Sequence, residues 1–167
     1  LKEIEIILID DGSTDGSAEI CKEYLVDSRV SYYYKENEGL AAARADGIER
    51  ANGEYIGFVD SDDYVKSTMY ESLYSAAEKC DADIAITGIC FVGGNTFNQD
   101  GDYEEKHYFS EDTIFENDEM KTLLLGVVGA LPNESEDSRY GVSVCKNIFK
   151  RSLNKKKKVE FVSERKI

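Results

Sequence analysis

The chain has 167 residues, of which 41% are hydrophobic, 32% are charged and one is proline. This composition is typical of one globular domain of roughly 100–200 residues, and it argues against a disordered chain, a collagen and a coiled coil. The most apolar stretch, residues 123–131, is much shorter than the about 20 apolar residues of a membrane-spanning helix. No secretion signal is recognised at the start, so a cytoplasmic location is expected.

The net charge is −14, with 34 acidic and 20 basic residues. A protein that binds a phosphate backbone needs the opposite field along its contact surface, so nucleic acid is excluded as a partner. The charge is uneven, because residues 146–167 carry +7 and residues 1–145 carry −21. The four cysteines are far apart in sequence, without a Cys-x-x-Cys pair, and are expected to be reduced and mostly in the core. They are Cys21, Cys80, Cys90 and Cys145.

The first half of the chain predicts alternating strands and helices. Ile4–Ile9 is a nearly continuous apolar run, typical of a strand buried on both faces. Ser13–Asp15 then supply the N-cap of a helix whose apolar residues continue to Leu25. A second strand is predicted over Val30–Tyr34. A second helix is predicted over Leu40–Ala51, closed by Asn52 and Gly53 at its C-cap.

The same alternation continues to residue 90. Tyr55–Val59 predicts a third strand and Ile84–Cys90 a fourth. Ser67–Lys79 between them predicts a helix, and its inward residues are expected to be Met69, Leu73, Ala76 and Ala77. The β-α-β-α-β-α-β order predicts a parallel sheet with helices on both faces and right-handed crossovers.

The pattern is weaker beyond residue 93. The predicted elements there are strands at Lys106–Phe109, Val142–Phe149 and Val159–Val162, and a helix at Asn117–Leu125. No second core is recognised, so residues 1–167 are predicted to form one domain. The first strand is Ile-rich, as an interior strand would be, yet it begins almost at residue 1. We therefore expect the chain to be a fragment.

Two predicted strands end in clusters of carboxylates, Asp10 and Asp11 in one case and Asp60, Asp62 and Asp63 in the other. Ligands of open α/β sheets bind at the carboxyl ends of strands. Several carboxylates in one crevice repel one another unless a cation lies between them. Mg²⁺ or Mn²⁺ suits such oxygen ligands and takes further ligands from substrate phosphates, so Asp60 and Asp62 are predicted to hold a metal and a diphosphate. The alternative is that these residues are N-caps and solvated turn residues.

The first cluster and the second helix offer further contacts. An Asp carboxylate in the crevice can accept a hydrogen bond from a base N–H, as uracil would offer. The turn Asn37–Gly39 opens the helix that carries Arg44, so a cation and a helix N-terminus can both face phosphate oxygens. The alternative is that Arg44 pairs with Asp46 or Glu49.

Three functions fit this pattern. The first is a nucleotidyl-sugar transferase. The second is a phospho-receiver signalling domain that uses Asp10, Asp11 and Asp60, but it needs a Lys-Pro pair after its fifth strand, and the only proline is Pro132. The third is a phosphatase of the haloacid-dehalogenase type, in which the residue at the position of Tyr64 is usually Thr or Val. A dinucleotide-dependent dehydrogenase is disfavoured, because no G-x-G-x-x-G follows a predicted strand.

Three segments closely resemble the family 2 glycosyltransferases: EIILIDDGSTD (residues 5–15), NEGLAAAR followed by GI (37–48) and GEYIGFVDSDD (53–63). The resemblance implies a three-layer, Rossmann-like GT-A fold with a mostly parallel α/β sheet. It implies an inverting transfer of sugar from a nucleotide donor, often UDP-linked, to a glycan or lipid-linked acceptor, with Mg²⁺ or Mn²⁺. Residues 1–92 would bind the nucleotide sugar, and residues 93–167 would form the acceptor side.

Matching positions imply roles for individual residues. Asp11 would contact the base, Asp60 the ribose or metal and Asp62 the metal, while Gly39 and Arg44 would lie along the donor pocket. The nucleotide-sugar-binding residues expected in this way are Asp10, Asp11, Ser13, Asn37, Gly39, Arg44, Asp60 and Ser61, and the expected metal ligands are Asp60 and Asp62.

The sequence also departs from the family pattern. The family opens with a strand that ends in Pro-x-Tyr-Asn, which is absent before Leu1, so the sheet is expected to lack a strand. Residues 143–153 resemble the family segment S-V-W-N-K-L-Y-K-R-S-L, with Cys145 in place of Trp and with Lys146 and Asn147 inverted. The general base usually belongs to a Glu-Asp pair after this segment, and it is expected beyond Ile167.

Two Glu-Asp pairs occur too early to be that base, Glu111-Asp112 and Glu136-Asp137, and they are interpreted as exposed acids. The basic run Lys155–Lys158 leaves two interpretations open. It is a solvated loop, or it attracts anionic lipid or a lipid-diphosphate acceptor and brings the protein to the inner face of the membrane.

Overall fold

The computed structural model describes residues 1–92, 103–106, 113–116 and 144–153. Its strands are β1 (Ile6–Asp11), β2 (Val30–Lys35), β3 (Tyr55–Gly57), β4 (Ile84–Ile86), β5 (Ile89–Val92), β6 (Tyr103–Lys106) and β7 (Asn147–Lys150). Its helices are α1 (Ser17–Glu23), α2 (Leu40–Arg50) and α3 (Met69–Cys80). None of the helices in these described ranges has the length and apolar character needed to cross a bilayer.

The chain divides into two compact units, Leu1–Ala85 with Asn147–Ile167 and, separately, Ile86–Lys146. In the second unit β5 and β6 pair antiparallel, from Ile89 opposite Lys106 to Val92 opposite Tyr103. The sequence features that lie outside the described residues are the predicted helix Asn117–Leu125, the strand Val159–Val162, both early Glu-Asp pairs, Pro132 and the run Lys155–Lys158.

The first unit opens with the predicted β-α-β arrangement. β1 and β2 are parallel, in a register that runs from Ile6 opposite Val30 to Asp11 opposite Lys35. Between them, α1 is followed by a 3₁₀ turn over Tyr24–Val26. The parallel pair and its helices confirm the α/β fold class. β1 continues two residues beyond the predicted strand, so the first pair of acids belongs to the ladder itself.

The predicted N-cap of α1 was wrong. The helix begins after Gly16, whose φ of 85° lies in the left-handed region. The carboxylate of Asp15 still serves the helix start, because it accepts hydrogen bonds from the Ser17 N–H at 3.2 Å and from the Ser17 hydroxyl at 2.7 Å. A glycine at the cap position allows the chain to turn sharply after the strand, which the Ser-Thr-Asp signal alone did not indicate.

Helix α2 agrees with its prediction to within one residue but ends differently. Its C-cap is Ala51 in an extended conformation, where Asn52 and Gly53 were expected to cap it. The Glu5 carboxylate accepts hydrogen bonds from the Asn52 backbone N–H at 2.9 Å and from its side-chain amide at 3.0 Å. The start of the chain therefore holds the segment after α2, and no left-handed cap is needed.

A second sheet has the order β3-β7-β4. β7 is antiparallel to β3, with Tyr55 opposite Lys150 and Gly57 opposite Ile148. This antiparallel pairing is compatible with the expected mostly parallel sheet, and it arises because a strand from the end of the described chain enters beside β3. The predicted strand Val142–Phe149 is instead a 3₁₀ turn over Val144–Lys146 followed by β7.

Other predicted strands also changed length. Tyr55–Val59 shortens to β3, and Ile84–Cys90 divides into β4 and β5. The predicted strand at Lys106–Phe109 lies earlier, as β6, and residues 107–109 are outside the described residues.

The core of the first unit forms where α3 packs on β7. Leu73, Ala77 and Ile148 are buried there, and Tyr55 and Tyr74 meet edge to face with ring centroids 5.8 Å apart. Ala76, which was expected inward, is exposed because each helical residue turns by about 100° and Ala77 takes the inward position.

The cysteines follow the core prediction only in part. Cys145 is buried, Cys21 is half-buried and Cys80 is exposed, and these three are free thiols. The exposed position of Cys80 at the last turn of α3 corrects the expectation of a core thiol there. The Cys90 side chain lies outside the described part of the structure.

Two glycines of the first unit should respond oppositely to alanine. A Cβ at Gly57 would lie 2.5 Å from Cε1 of Tyr70, whereas a Cβ at Gly47 would lie 3.8 Å from Cγ1 of Ile9, an ordinary contact. We expect Gly57→Ala to lower the free energy of unfolding by about 1–3 kcal/mol through overpacking. Gly47→Ala should raise it by up to about 1 kcal/mol, because alanine favours the helix. Urea unfolding of both variants tests this, and equal effects would contradict it.

Candidate functional site

The carboxylate of Asp11 joins the end of β1 to the start of α2. Its Oδ1 accepts a hydrogen bond from the Glu38 backbone N–H at 3.0 Å, and its Oδ2 accepts one from the Gly39 N–H at 2.7 Å. The Asn37 side-chain amide donates to the Asp11 backbone carbonyl at 2.9 Å. Hydrogen bonds to an ionised acceptor are about twice as strong as neutral ones. The predicted site residues Asp11, Asn37 and Gly39 therefore form one connected group.

Glycine is required at two positions of this group. Gly12 has a φ of 81°, and a Cβ there would lie 2.9 Å from the backbone nitrogen of Asn37. Gly39 has φ 90° and ψ 165°, a conformation essentially restricted to glycine. These two glycines let the two loops approach closely and turn the Gly39 N–H toward Asp11.

Asp10 lies behind this group, with only 6% of its surface exposed. One carboxylate oxygen accepts a hydrogen bond from the Tyr32 hydroxyl at 2.6 Å, and the other accepts one from the Ser13 backbone N–H at 2.8 Å. The Tyr32 hydrogen bond and then those from Ser13 lower the pKa of Asp10. The same contact with Asp10 raises the pKa of Tyr32 to about 12. Asp10 thus fixes the turn that follows β1, and the Ser13 side chain lies exposed beside it.

Asp60 pairs with Arg44 of α2. Nη2 of Arg44 donates to both carboxylate oxygens, at 2.8 and 3.0 Å. The alternative that Arg44 pairs with Asp46 or Glu49 was wrong, because its guanidinium reaches the loop after β3. That guanidinium also lies 5.9 Å from the centroid of the Phe58 ring, and its Nε is buried without a hydrogen-bond partner among the described residues.

The remaining acids of the second cluster are open to solvent. The Asp63 backbone N–H donates to the Asp60 carbonyl at 3.0 Å, which closes a tight turn through Ser61 and Asp62. Ser61, Asp62 and Asp63 are all exposed. Within the described ranges the Asp62 carboxylate forms no hydrogen bond or ion pair, so its oxygens are available to a ligand.

Helix α2 connects the two acidic clusters. Asp11 binds the backbone at its start, and Arg44, five residues after Gly39, binds Asp60. At about 1.5 Å of rise per residue, these attachments are ~7.5 Å apart along the helix axis. The structure therefore brings Asp11, Asn37 and Gly39 together at one end of this span and Arg44 with Asp60 at the other. It does not bring Ser61 or Asp62 into contact with the first group.

Sequence reasoning missed Lys35. Its ammonium group hydrogen-bonds the Glu38 carboxylate, and it lies 3.4 Å from an Asp46 oxygen and 3.7 Å from Oδ1 of Asp11. The hydrogen bond to Glu38 and the contact with Asp46 raise the pKa of Lys35, so it is charged at neutral pH. The sequence did contain one indication of this role. Lys35 directly follows the second predicted strand, and parallel pairing with the first strand places it opposite Asp11.

Comparison with known proteins places these residues in a family. The family described as "Glycosyl transferase family 2" matches residues 1–129. Glycosyltransferase GlyA of Streptococcus pneumoniae serotype 4 is 40% identical over 140 residues, which is 74% of this chain and 19% of GlyA. Glycosyltransferase GlyG of the same organism is 50% identical over 101 residues, 59% of this chain and 31% of GlyG.

A third relative, named cholesterol galactosyltransferase, comes from Borreliella burgdorferi and is 48% identical over 88 residues, 52% of this chain and 25% of the relative. The matched segments thus span between 19% and 31% of the length of these three relatives.

The hydrogen-bonded pair of buried Asp10 and half-buried Tyr32 should make stability depend on pH. Tyr32→Phe removes the hydrogen bond that contributes most to the lowered pKa of Asp10. We expect the variant to be less stable than wild type near pH 7, with a difference that stays constant down to about pH 5 and shrinks below about pH 4, where the unfolded carboxyl takes up its proton first. The difference should also fall as the pH rises from about 10 toward 12, because unfolded tyrosine ionises first.

Urea unfolding of both proteins across this pH range measures the effect. Tyr34→Phe is the matched control, since it removes a hydroxyl from an exposed tyrosine of the same strand. A difference that does not change with pH would contradict the assignment of the pair.

Proposed function

The chain belongs to glycosyl transferase family 2, and on that premise we propose that it forms the donor-binding part of a sugar-transferring enzyme. The donor is a sugar linked to a nucleoside diphosphate, and the acceptor is a hydroxyl group of a glycan or of a lipid-linked molecule. The observation that carries the proposal is the attachment of both acidic clusters to α2. Asp11 is bound at the start of this helix, and Asp60 is bound by its Arg44.

The group around Asp11 suits the nucleoside end of the donor. A carboxylate offers about four lone-pair sites, and two of those on Asp11 are used by backbone N–H groups. The others can accept a base N–H, and uracil offers such a donor at N3. We therefore propose UDP as the nucleotide, with Asp11 as the acceptor for its base.

The second cluster suits the diphosphate. Asp62 presents exposed carboxylate oxygens, the hard ligands that Mg²⁺ and Mn²⁺ prefer, and such ions complete their shell with water and substrate phosphates. Both oxygens of Asp60 contact Arg44, which fixes the turn that presents Asp62. We propose Asp62 as the principal metal ligand, with Asp60 beside it. When bound, the ion would neutralise the negative charge that develops on the departing diphosphate.

The reaction class follows from these groups. An acceptor hydroxyl attacks the anomeric carbon of the donor, the bond to the diphosphate breaks, and a carboxylate base takes the hydroxyl proton. One such displacement inverts the configuration at the anomeric carbon. In this proposal the residues of this chain bind and orient the donor.

The proposal about the acceptor is based on the sequence alone. Lys155–Lys158 places four positive charges together in a chain with a net charge of −14. Such a run near an anionic lipid surface gains about 1 kcal/mol per lysine, an attraction that salt screens. We propose that it brings the protein to a membrane surface where a lipid-linked acceptor is found.

The metal assignment is tested by comparing Asp62→Asn with Glu71→Gln. Both variants remove one negative charge from an exposed acid, but Glu71 lies on α3, outside the acidic turn that is proposed to bind the ion. We expect Mn²⁺ to tighten UDP binding by wild type and by Glu71→Gln, and Asp62→Asn to lose about tenfold or more of that affinity. Isothermal titration calorimetry with and without Mn²⁺ measures it. Equal affinity of wild type for UDP under both conditions would refute the metal dependence.

The transferase is distinguished from the phospho-receiver by ligand-induced stabilisation. UDP with Mn²⁺ should raise the thermal midpoint of the wild-type chain, because a ligand at 100 times its Kd stabilises the folded state by about 2.7 kcal/mol. GDP should raise the thermal midpoint by less than UDP does, because Asp11 is proposed to accept a hydrogen bond from the uracil base. Acetyl phosphate should neither raise the midpoint nor phosphorylate Asp60, as mass spectrometry would detect. A phosphorylated Asp60 without any response to nucleotide would refute the proposed function.

A further inference from the structure

Lys35 is the only cation within ion-pair distance of the Asp11 carboxylate in the described part of the chain. Its side chain is 16% exposed, although it carries a full charge. Its ammonium group contacts three carboxylates, those of Asp11, Glu38 and Asp46. These three acids come from β1, from the loop before α2 and from α2 itself, so one side chain connects three segments near the start of the helix.

Lys35 offsets one of the three negative charges of this cluster. Three carboxylates close together repel one another, and each is stabilised by the same ammonium group, which has three N–H donors to distribute. The limited exposure of Lys35 reduces the screening of these interactions by water. Without the positive charge of Lys35, the carboxylates of Asp11, Glu38 and Asp46 would repel one another. This repulsion would displace the loop before α2, which carries the Glu38 and Gly39 N–H groups that Asp11 binds.

Lys35 takes no part in the core that stabilises the first unit. That core is formed by Leu73, Ala77 and Ile148, where α3 packs on β7. The β1–β2 ladder pairs through backbone groups along six residue pairs, of which Asp11 and Lys35 are the last. The contacts of the Lys35 side chain are therefore directed at the loop before α2 and at its acids.

We propose that Lys35 is a positioning residue for the donor site: its ammonium group holds the Asp11 carboxylate and the start of α2 in the arrangement that receives the nucleotide. This inference rests on the proposed function, because it assumes that Asp11 and the start of α2 meet the donor. Lys35 acts through Asp11 and the Glu38–Gly39 amides, and it does not itself contact the reacting atoms.

The test compares UDP binding by the full chain and its variants in the presence of Mn²⁺. Lys35→Met keeps most of the aliphatic stem and removes the charge, so UDP affinity should fall about tenfold or more. Lys35→Arg keeps the charge and should bind UDP within about threefold of wild type. Lys79→Met, at an exposed lysine of α3, removes an equal charge elsewhere and should bind as wild type does.

Two further experiments distinguish a positioning role of Lys35 from a general effect on stability: a second substitution that restores UDP affinity, and amide hydrogen exchange. In the Lys35→Met background, Asp46→Asn removes one of the repelling acids and should restore part of the lost affinity. Amide hydrogen exchange should accelerate at Glu38 and Gly39 in Lys35→Met and stay unchanged within α3. Uniformly faster exchange in both regions, or full UDP affinity in Lys35→Met, would overturn the inference.

The outcomes distinguish this inference from the proposed function. If wild type binds neither UDP nor GDP with Mn²⁺, the proposed function fails and the inference fails with it. If wild type binds UDP and Lys35→Met binds it equally well, only the inference fails. Should Lys35→Met not fold, Lys35→Gln, which keeps a polar amide, takes its place. Loss of folding in both would assign Lys35 to the stability of the fold and overturn the positioning role.

Discussion

The structure of the candidate site depends on one interaction, in which the Asp11 carboxylate accepts hydrogen bonds from the backbone N–H groups of Glu38 and of Gly39, the N-cap of α2. A negative charge at this position is favoured, because the N-terminus of a helix carries a partial positive charge. A strand that ends in an acid at this point fixes both the helix position and the intervening loop. Gly12 and Gly39 make the approach sterically feasible, because a side chain at Gly12 would collide with Asn37.

Helix α2 also positions the second acidic cluster. Arg44 reaches from the helix to Asp60 and occupies both of its oxygens, so the loop after β3 is positioned by the same element as the loop after β1. A rigid helix between two attachments sets their spacing more reproducibly than a flexible loop would. The acids that remain exposed are Asp62 and Asp63, on a turn whose first residue is held in place.

Local signals predicted the parts of the fold that are close in sequence. The apolar run before Asp10, the β-formers of β2 and the alanine-rich α2 each indicate their element within a short window, and the structure confirms them within one or two residues. The pairing of β3 with β7 joins Tyr55 to Lys150, and no local pattern encodes an insertion over that distance in the chain. The carboxylate clusters could also be predicted, because each directly follows a predicted strand in the sequence. The hydrogen-bond partners of each acid could not be predicted, because they depend on how the strands pair in the folded chain.

The charge of the chain explains why Lys35, which was not predicted from the sequence, matters for the candidate site. In a segment as acidic as residues 1–145, acids at the strand ends repel one another, and the fold counters this with two cations beside the clusters, Lys35 for Asp11 and Arg44 for Asp60. Each cation is mostly covered and faces carboxylates from other segments. With Asp11 and Asp60 paired in this way, Asp62 and Asp63 keep exposed carboxylates on the turn after β3. The proposed metal ion would offset the repulsion between these carboxylates and a diphosphate.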